Sequence, residues 1–259
     1  MHASSARDAR LAALRDEIGA IEKSGFAGPA RPCLPFGIDE VDSRLAAGGL
    51  LPALHEAAAA SPAPGDDAAA TLFLAALAAL FSRRDGRLGQ VLWALARRDL
   101  FAPGLAQAGL TPDRLIYAEC RNDAELLAVM EEGVRHGGLA AVIGEVGRAD
   151  MAATRRLQLA AEERDTPALL LRRWRQAGAD PLAAPSAAAT RWRIGCAPSA
   201  PLPHDGIGRA RWRVGLARQR GAPPHDWILE TPDAEARLAL PARSGDREIA
   251  AAGAVRRAA

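Results

Sequence analysis

Lysine is almost missing from this chain: Lys23 is the single lysine among 259 residues, and every other strong base is arginine. Chemistry that needs a compact ammonium group is therefore excluded everywhere beyond residue 23. Aromatic side chains make up only 4%, with one tyrosine, so a core has to be assembled from Ala, Leu, Val and Ile. The three cysteines, Cys33, Cys120 and Cys196, lie far apart with no C-x-x-C spacing. That pattern excludes a disulfide framework or a cysteine zinc site and fits reduced thiols in the cytoplasm. No stretch approaches the roughly 18 uninterrupted apolar residues of a membrane span. The N-terminus shows no apolar segment ahead of a cleavage site, so no secretory signal is expected. His2, His55, His136, His204 and His225 are scattered, without H-E-x-x-H or H-x-E patterns. No catalytic constellation, metal or cofactor is expected from these residues.

What is present is enough apolar material, 49% of the chain, for one sizeable core. The formal charge of +2 conceals an asymmetry. Residues 1–150 carry 15 basic and 20 acidic side chains, whereas residues 151–259 carry 18 and 11. Between Pro167 and Arg220 ten arginines face only Asp180 and Asp205. Such a block suits a polyanion or an acidic partner, and equally a solvated face.

Leu11, Leu14, Ile18 and Ile21 fall at helical spacing and predict an amphipathic helix over residues 6–23, a candidate docking element. Gly25, Gly28, Pro29, Pro32 and Pro35 then break the chain. The expected organisation is this helix and linker at 1–34, a core domain at 35–240 and a disordered tail at 241–259. Within the core, short apolar runs alternate with helices. Strands are expected near 54–57, 90–93, 114–118, 139–144 and 167–171. Helices are expected from Asp66-Asp67 onward and at 103–108, 123–135 and 152–163. Continuous apolar runs between helices predict an α/β fold with a mainly parallel sheet covered on both faces. Three further segments, 190–196, 211–216 and 227–230, follow without crossover helices between them and read as added antiparallel strands.

The passage after the first strand has the shape of a phosphate-binding loop but not its chemistry. Leu54-His55-Glu56-Ala57 leads into a small-residue turn ending at Gly65, followed by Asp66, Asp67 and Ala68. A functional loop of this kind reads G-x-x-x-x-G-K-[ST], with a lysine on the terminal phosphates. Here two carboxylates stand where the ammonium belongs, and they would repel a polyphosphate. Glu145, at the end of the fourth strand, occupies the place of a metal-side acid in such folds. Gly65, Asp66, Asp67 and Glu145 together read as the remnant of a nucleotide site, without ATPase activity.

An arginine–tryptophan triplet recurs at Arg173-Trp174-Arg175, Arg191-Trp192-Arg193 and Arg211-Trp212-Arg213. On a strand the two arginines share one face and the tryptophan takes the other. The tryptophans read as core anchors. The six arginines are a candidate surface for DNA or for a protein partner.

Phe36-Gly37-Ile38-Asp39, Val41-Asp42 and Gly48-Gly49-Leu50, with the strand at 54–57 and the run 139–145, resemble the RecA-like ATPase core over roughly 35–171. More specific are His55-Glu56, the W-A-L-A-R-R-D-L-F-A-P-G-L run at 93–105, Gly144-Glu145-Val146-Gly147-Arg148, residues 155–162, and the second and third arginine–tryptophan triplets. On these the chain resembles the ImuA family, RecA/SulA-like proteins of damage-inducible mutagenesis operons, in its alphaproteobacterial form. The resemblance implies work with ImuB and an error-prone DnaE-type polymerase in translesion synthesis during the SOS response, with RecA as a further candidate partner. It departs from the RecA pattern in the missing loop lysine and its hydroxyl neighbour. At Arg97-Arg98-Asp99, mostly basic here, that pattern would place a catalytic glutamate. The expectation is a non-catalytic adaptor; a DNA-binding module and a SulA-like cell-division inhibitor stand as alternatives.

Overall fold

The computed structural model describes Arg10 and residues 33–241 apart from 85–88, 175–178, 203 and 207. The expected N-terminal helix and the tail beyond Pro241 lie outside these residues, as does Arg175. The described chain runs α1 (Asp39–Asp42), β1 (Leu54–Ala59), α2 (Pro64–Ser82), β2 (Val91–Leu95), α3 (Ala102–Gln107), β3 (Leu115–Glu119), α4 (Asp123–His136) and β4 (Ala141–Val146). It continues through α5 (Met151–Arg164), β5 (Ala168–Arg172), β6 (Thr190–Ala197), β7 (Arg211–Gln219) and β8 (His225–Glu230).

All eight strands form one sheet in the order β3-β2-β4-β5-β1-β6-β7-β8. The pairs from β3 to β6 are parallel, and β6–β7 and β7–β8 are antiparallel. The expected α/β class, mainly parallel with an antiparallel C-terminal extension, is what the chain adopts. One detail differs: β6 joins the sheet parallel to β1 and becomes antiparallel only to β7. Residues 173–189 carry the chain from β5 past β1 to β6, and their described residues hold no helix. Their length meets the roughly dozen residues that a parallel crossover requires.

Period-two alternation sends the strand side chains into two cores. Ala57, Trp93, Ile143, Leu169, Leu171, Trp192 and Ile194 pack with α2 and the entry segment around Phe36. Leu54, Ala94, Val142, Ala168 and Leu170 pack instead under α4 and α5, against Leu126, Met130 and Leu157. By length and hydropathy α2 could cross a membrane, but 67% of its apolar window is buried inside the protein, as befits a central core helix. It opens at Pro64 rather than at Asp66, because proline at the first helical position gives up no backbone bond.

Local signals fix the flanking helices. Asn122 accepts the Glu125 backbone N–H at 2.9 Å, and Glu125 reaches back to the Arg121 N–H at 2.8 Å. Gly137 closes α4 in the left-handed region at φ 70°. Asp150 caps α5 through the Ala153 N–H at 2.7 Å. Strand β4 starts two residues later than the apolar run suggests, because Leu139 packs beneath α4 before pairing begins.

Candidate functional site, a charge-filled loop at the carboxyl end of the sheet

In open α/β sheets ligands gather at the carboxyl ends of the strands, where loops and helix N-termini meet. Here that place is formed by the 60–63 loop, the first turn of α2, the ends of β4 and β5, and Cys196 of β6. The loop is tied down from both sides. Ala60 donates its N–H to the Ile194 carbonyl at 2.7 Å. Asp66 accepts the Cys196 N–H at 2.7 Å on one oxygen and the Ser61 hydroxyl at 2.6 Å on the other. The close approach is built into the sequence: a Cβ at Gly195 would stand 2.8 Å from the Ala60 side chain. Asp66 therefore works as a clasp between loop and β6. Burial, with the Asp66 charge beside it, pushes the Cys196 thiol above its ordinary pKa.

On the other side of the first turn, Arg173 stands where the strand β5 has just ended. Its guanidinium donates to Glu145 Oε2 from Nη2 at 2.8 Å and from Nε at 3.2 Å. Its Nη1 is ion-paired with Asp67 and donates to the Thr71 hydroxyl at 3.2 Å. The second Glu145 oxygen accepts the Trp93 indole N–H at 2.7 Å. The Arg173 side chain is 11% exposed and that of Glu145 5%. Burial pushes the Glu145 carboxyl up despite Arg173, and nearby Asp99 adds to the rise. Burial alone would lower Arg173, but Glu145 and Asp67 outweigh it and hold the cation above the usual arginine range. Beside this network lies a cavity of about 280 Å³ lined by Leu72, Leu100, Phe101, Leu105, Asp99 and Arg173, among others.

Of the remnant residues singled out in the sequence, Asp67 and Glu145 thus meet through Arg173, while Asp66 turns to β6. Gly65 sits in the first turn of α2, where a Cβ would lie 3.4 Å from the Cys196 sulfur. Register leaves Gly144 on the α4 side, where a Cβ would stand 2.1 Å from the Met130 sulfur, so Glu145 is the acid that faces the loop helix. Arg97 pairs with Asp99 at 3.6 Å and Arg98 with Glu119 at 2.7 Å, all well exposed.

A second charged centre occupies the opposite face of the sheet. Glu56, fully buried on β1, accepts Arg191 Nε at 2.8 Å and the Ser186 hydroxyl at 2.8 Å, with Arg172 Nη1 at 3.6 Å. Burial pulls Arg172 below the ordinary arginine value, Glu56 opposing and Arg191 adding to the fall. Its neighbour His55 lies on the other face of β1. Burial lowers it to about 4, so it is neutral at physiological pH. One ring nitrogen bonds the Leu51 carbonyl at 2.8 Å and the other the Thr190 hydroxyl at 2.7 Å. Thr190 in turn accepts the Trp192 indole N–H at 2.7 Å.

The triplet arginines divide. Arg191, Arg193, Arg211 and Arg213 do share one face of β6 and β7, since Gly195 pairs with Arg213 and Arg193 with Gly215. Trp192 and Trp212 occupy the other face, buried in the core. Arg193 pairs with Asp180 at 2.7 Å and Arg211 with Glu230 at 3.5 Å, and Arg213 is exposed. Arg173 and Arg191 are turned inward onto carboxylates. Sequence reasoning missed the roles of Thr71, Arg172 and Ser186, none of which carries a motif, and of Trp93, which entered only as the first residue of the 93–105 run. The inward direction of Arg173 continues the alternation of Leu169 and Leu171 toward α2, and its N–H still donates to the Val146 carbonyl at 2.9 Å.

No protein-family model matches the chain. It is 39% identical over 235 residues to Protein ImuA of Caulobacter vibrioides, in both strain NA1000 and strain ATCC 19089, covering 87% of this chain and 96% of each relative. The shared stretch takes in the loop, both charged centres and most of the sheet's length. At that identity and coverage, the chain belongs to the ImuA family.

Proposed function

We propose that this protein is a non-catalytic, partner-binding member of the damage-inducible mutagenesis machinery, built on a RecA-like shell whose phosphate site has been refilled from within. The observation that carries the reading is the Arg173 bridge between Glu145 and Asp67. A buried guanidinium, covalently part of the chain, stands beside the first turn of the loop helix, among Glu145, Asp67 and Asp99. A nucleotide would have to bring its phosphates into this acidic surround without a loop lysine, and like charges oppose that. Family membership supports the partners: ImuB, an error-prone DnaE-type polymerase complex, and RecA. The N-terminal segment with Leu11, Leu14, Ile18 and Ile21 is the proposed docking element.

The test is retention of purified ImuB and RecA on the immobilised full chain and on a chain starting at Pro35. The reading expects ImuB or RecA to be retained by the full chain, and at least one of them to be lost with the first 34 residues. Retention of neither by the full chain would overturn it.

Direct DNA binding through the arginine-rich strands draws weaker support, because Arg173, Arg191, Arg193 and Arg211 already face carboxylates. Salt-dependent DNA affinity that falls on replacing Arg193, Arg211 and Arg213 together would favour it. A SulA-like role is separated by whether overexpression makes cells filament.

A further inference from the structure

The two helices that cover one face of the sheet differ in what they show to water. Along α4 the exposed positions are Ala124, Ala128, Glu132, Arg135 and His136, and none of the large exposed apolar side chains belongs to it. Along α5 Met151 is 46% exposed and Leu159 55% exposed, with the exposed Arg155 between them. Spacing of four residues sets the three in one row, its apolar ends about 12 Å apart along the axis. Single apolar side chains are ordinary on a surface; two in one row, on either side of a cation, form a recognition pattern.

The charges around the row are of one sign where they are free. Arg156, on the α4 side, is ion-paired with Glu131 at 3.1 Å, and Arg164 lies 3.9 Å from Glu163. Of the acids at the ends of the row, Asp150 accepts the Ala153 N–H that it caps. Glu162 is held by Gln158 at 2.6 Å, with Arg220 at 3.7 Å. Arg155, by contrast, has neither a hydrogen bond nor an ion pair from its side chain among the described residues. The exposed Arg148 side chain, just ahead of the helix, has no ion pair among them either. From the β7 side the exposed Arg218 donates to the Ser186 carbonyl at 3.1 Å, and Ala187 donates its N–H to the Thr154 hydroxyl of α5 at 3.2 Å. That link sets a further cation beside the first turn of α5.

We propose that the Met151–Arg155–Leu159 row docks an acidic amphipathic helix of a protein partner. Met151 and Leu159 take two apolar residues of that helix, two turns apart, and its acids face Arg155, with Arg148 and Arg218 at the margin. Charge complementarity with cations that have no carboxylate of their own selects this occupant. A nucleic-acid backbone would meet the same arginines but leave Met151 and Leu159 against phosphate. A second copy of this chain offers the acidic α4, which has no large exposed apolar side chain to fill the row. Residues 6–23 carry four acids and four bases, so no net attraction draws the chain's own N-terminal segment there. The surface goes beyond the reading above, since it involves neither the loop nor residues 1–34.

The experiment titrates the full chain into a labelled synthetic helix of about 18 residues, with leucine at every third and fourth position and glutamate between, read by fluorescence anisotropy. Saturable binding is expected, weakened roughly tenfold by Leu159→Ser and by Arg155→Glu, with urea midpoints of both variants unchanged. A counterpart peptide with lysine for glutamate should bind the unmodified chain roughly tenfold more weakly, and should gain affinity when Arg148→Glu and Arg155→Glu are combined. No saturable binding of the glutamate peptide overturns the proposal. So does binding that the two variants leave unchanged, which would place the peptide elsewhere, or equal binding of the lysine peptide. Single-stranded DNA that binds more tightly than the peptide and loses affinity on Arg155→Glu but not on Leu159→Ser would assign the row to nucleic acid and overturn it too. Retention of ImuB and RecA is scored separately, so failure of this surface and failure of the reading above are distinguishable.

Discussion

Arg173 donates two hydrogen bonds to a single oxygen of Glu145, at 2.8 and 3.2 Å, while its remaining nitrogen is ion-paired with Asp67. One guanidinium thereby neutralises a buried acid on β4 and fastens it to the first turn of α2. A lysine could pair with one of these acids but could not present the planar fork that holds both.

Removing the cation alone should therefore be costly. Arg173→Ala leaves Glu145 buried and unpaired, and a loss of about 3 kcal/mol in urea unfolding is expected. The double variant Arg173→Met, Glu145→Gln removes both charges and should recover more than half of that loss. Equal destabilisation of the single and double variants would count against the pairing.

On the opposite face, Glu56 holds two arginines, and the asymmetry of the centre makes a second prediction. Glu56→Gln strands Arg172 and Arg191 in a buried site and should destabilise by about 3 kcal/mol. Arg172→Met should be milder, about 1 kcal/mol, because the Arg172 Nε has no hydrogen-bond partner among the described residues and Arg191 still serves Glu56. Denaturant midpoints of the two variants check the order.

His55 gives the fold an acid dependence. Its pKa falls from 6.5 to about 4 on burial. Between these values the unfolded chain binds the proton and the folded one does not. The stability linked to His55 is thus fully present above about pH 6.5 and is lost as pH falls toward 4, in total roughly 3 kcal/mol. His55→Gln should flatten the stability profile between pH 6.5 and 4 relative to the unmodified chain. An unchanged slope would refute the assignment.

Asp66 raises the Cys196 thiol together with burial. Asp66→Asn should lower that pKa and speed iodoacetamide alkylation of Cys196 at pH 8, read by mass spectrometry against Cys120 as the internal reference. It should also weaken the clasp to β6, at a loss of about 1 kcal/mol.

Much of the architecture was legible because burial on both sheet faces writes itself as apolar runs separated by helical periodicity. Glu145 could be singled out on the same grounds, as the acid closing an apolar strand. Its partner could not. Arg173 belongs to a triplet whose siblings Arg191 and Arg193 do share a strand face, so the pattern placed it on a surface. Alternation along β5 carries Arg173 onto the α2 face after Leu169 and Leu171, with its N–H still on the Val146 carbonyl at 2.9 Å, but the acids that meet it there, Asp67 and Glu145, come from distant elements. Glu56, Ser186 and Arg191 are brought together by the β1–β6 pairing across 135 residues. That parallel pairing was hidden as well, since the described residues of the crossover hold no helix and leave no periodic trace.

The central claim is that the loop no longer takes a nucleotide, and isothermal titration of the purified full chain with Mg-ATP tests it most directly. The account predicts no saturable heat up to millimolar nucleotide and no phosphate release. Stoichiometric binding at micromolar ATP, lost on substitution of Asp67 or Glu145, would contradict it.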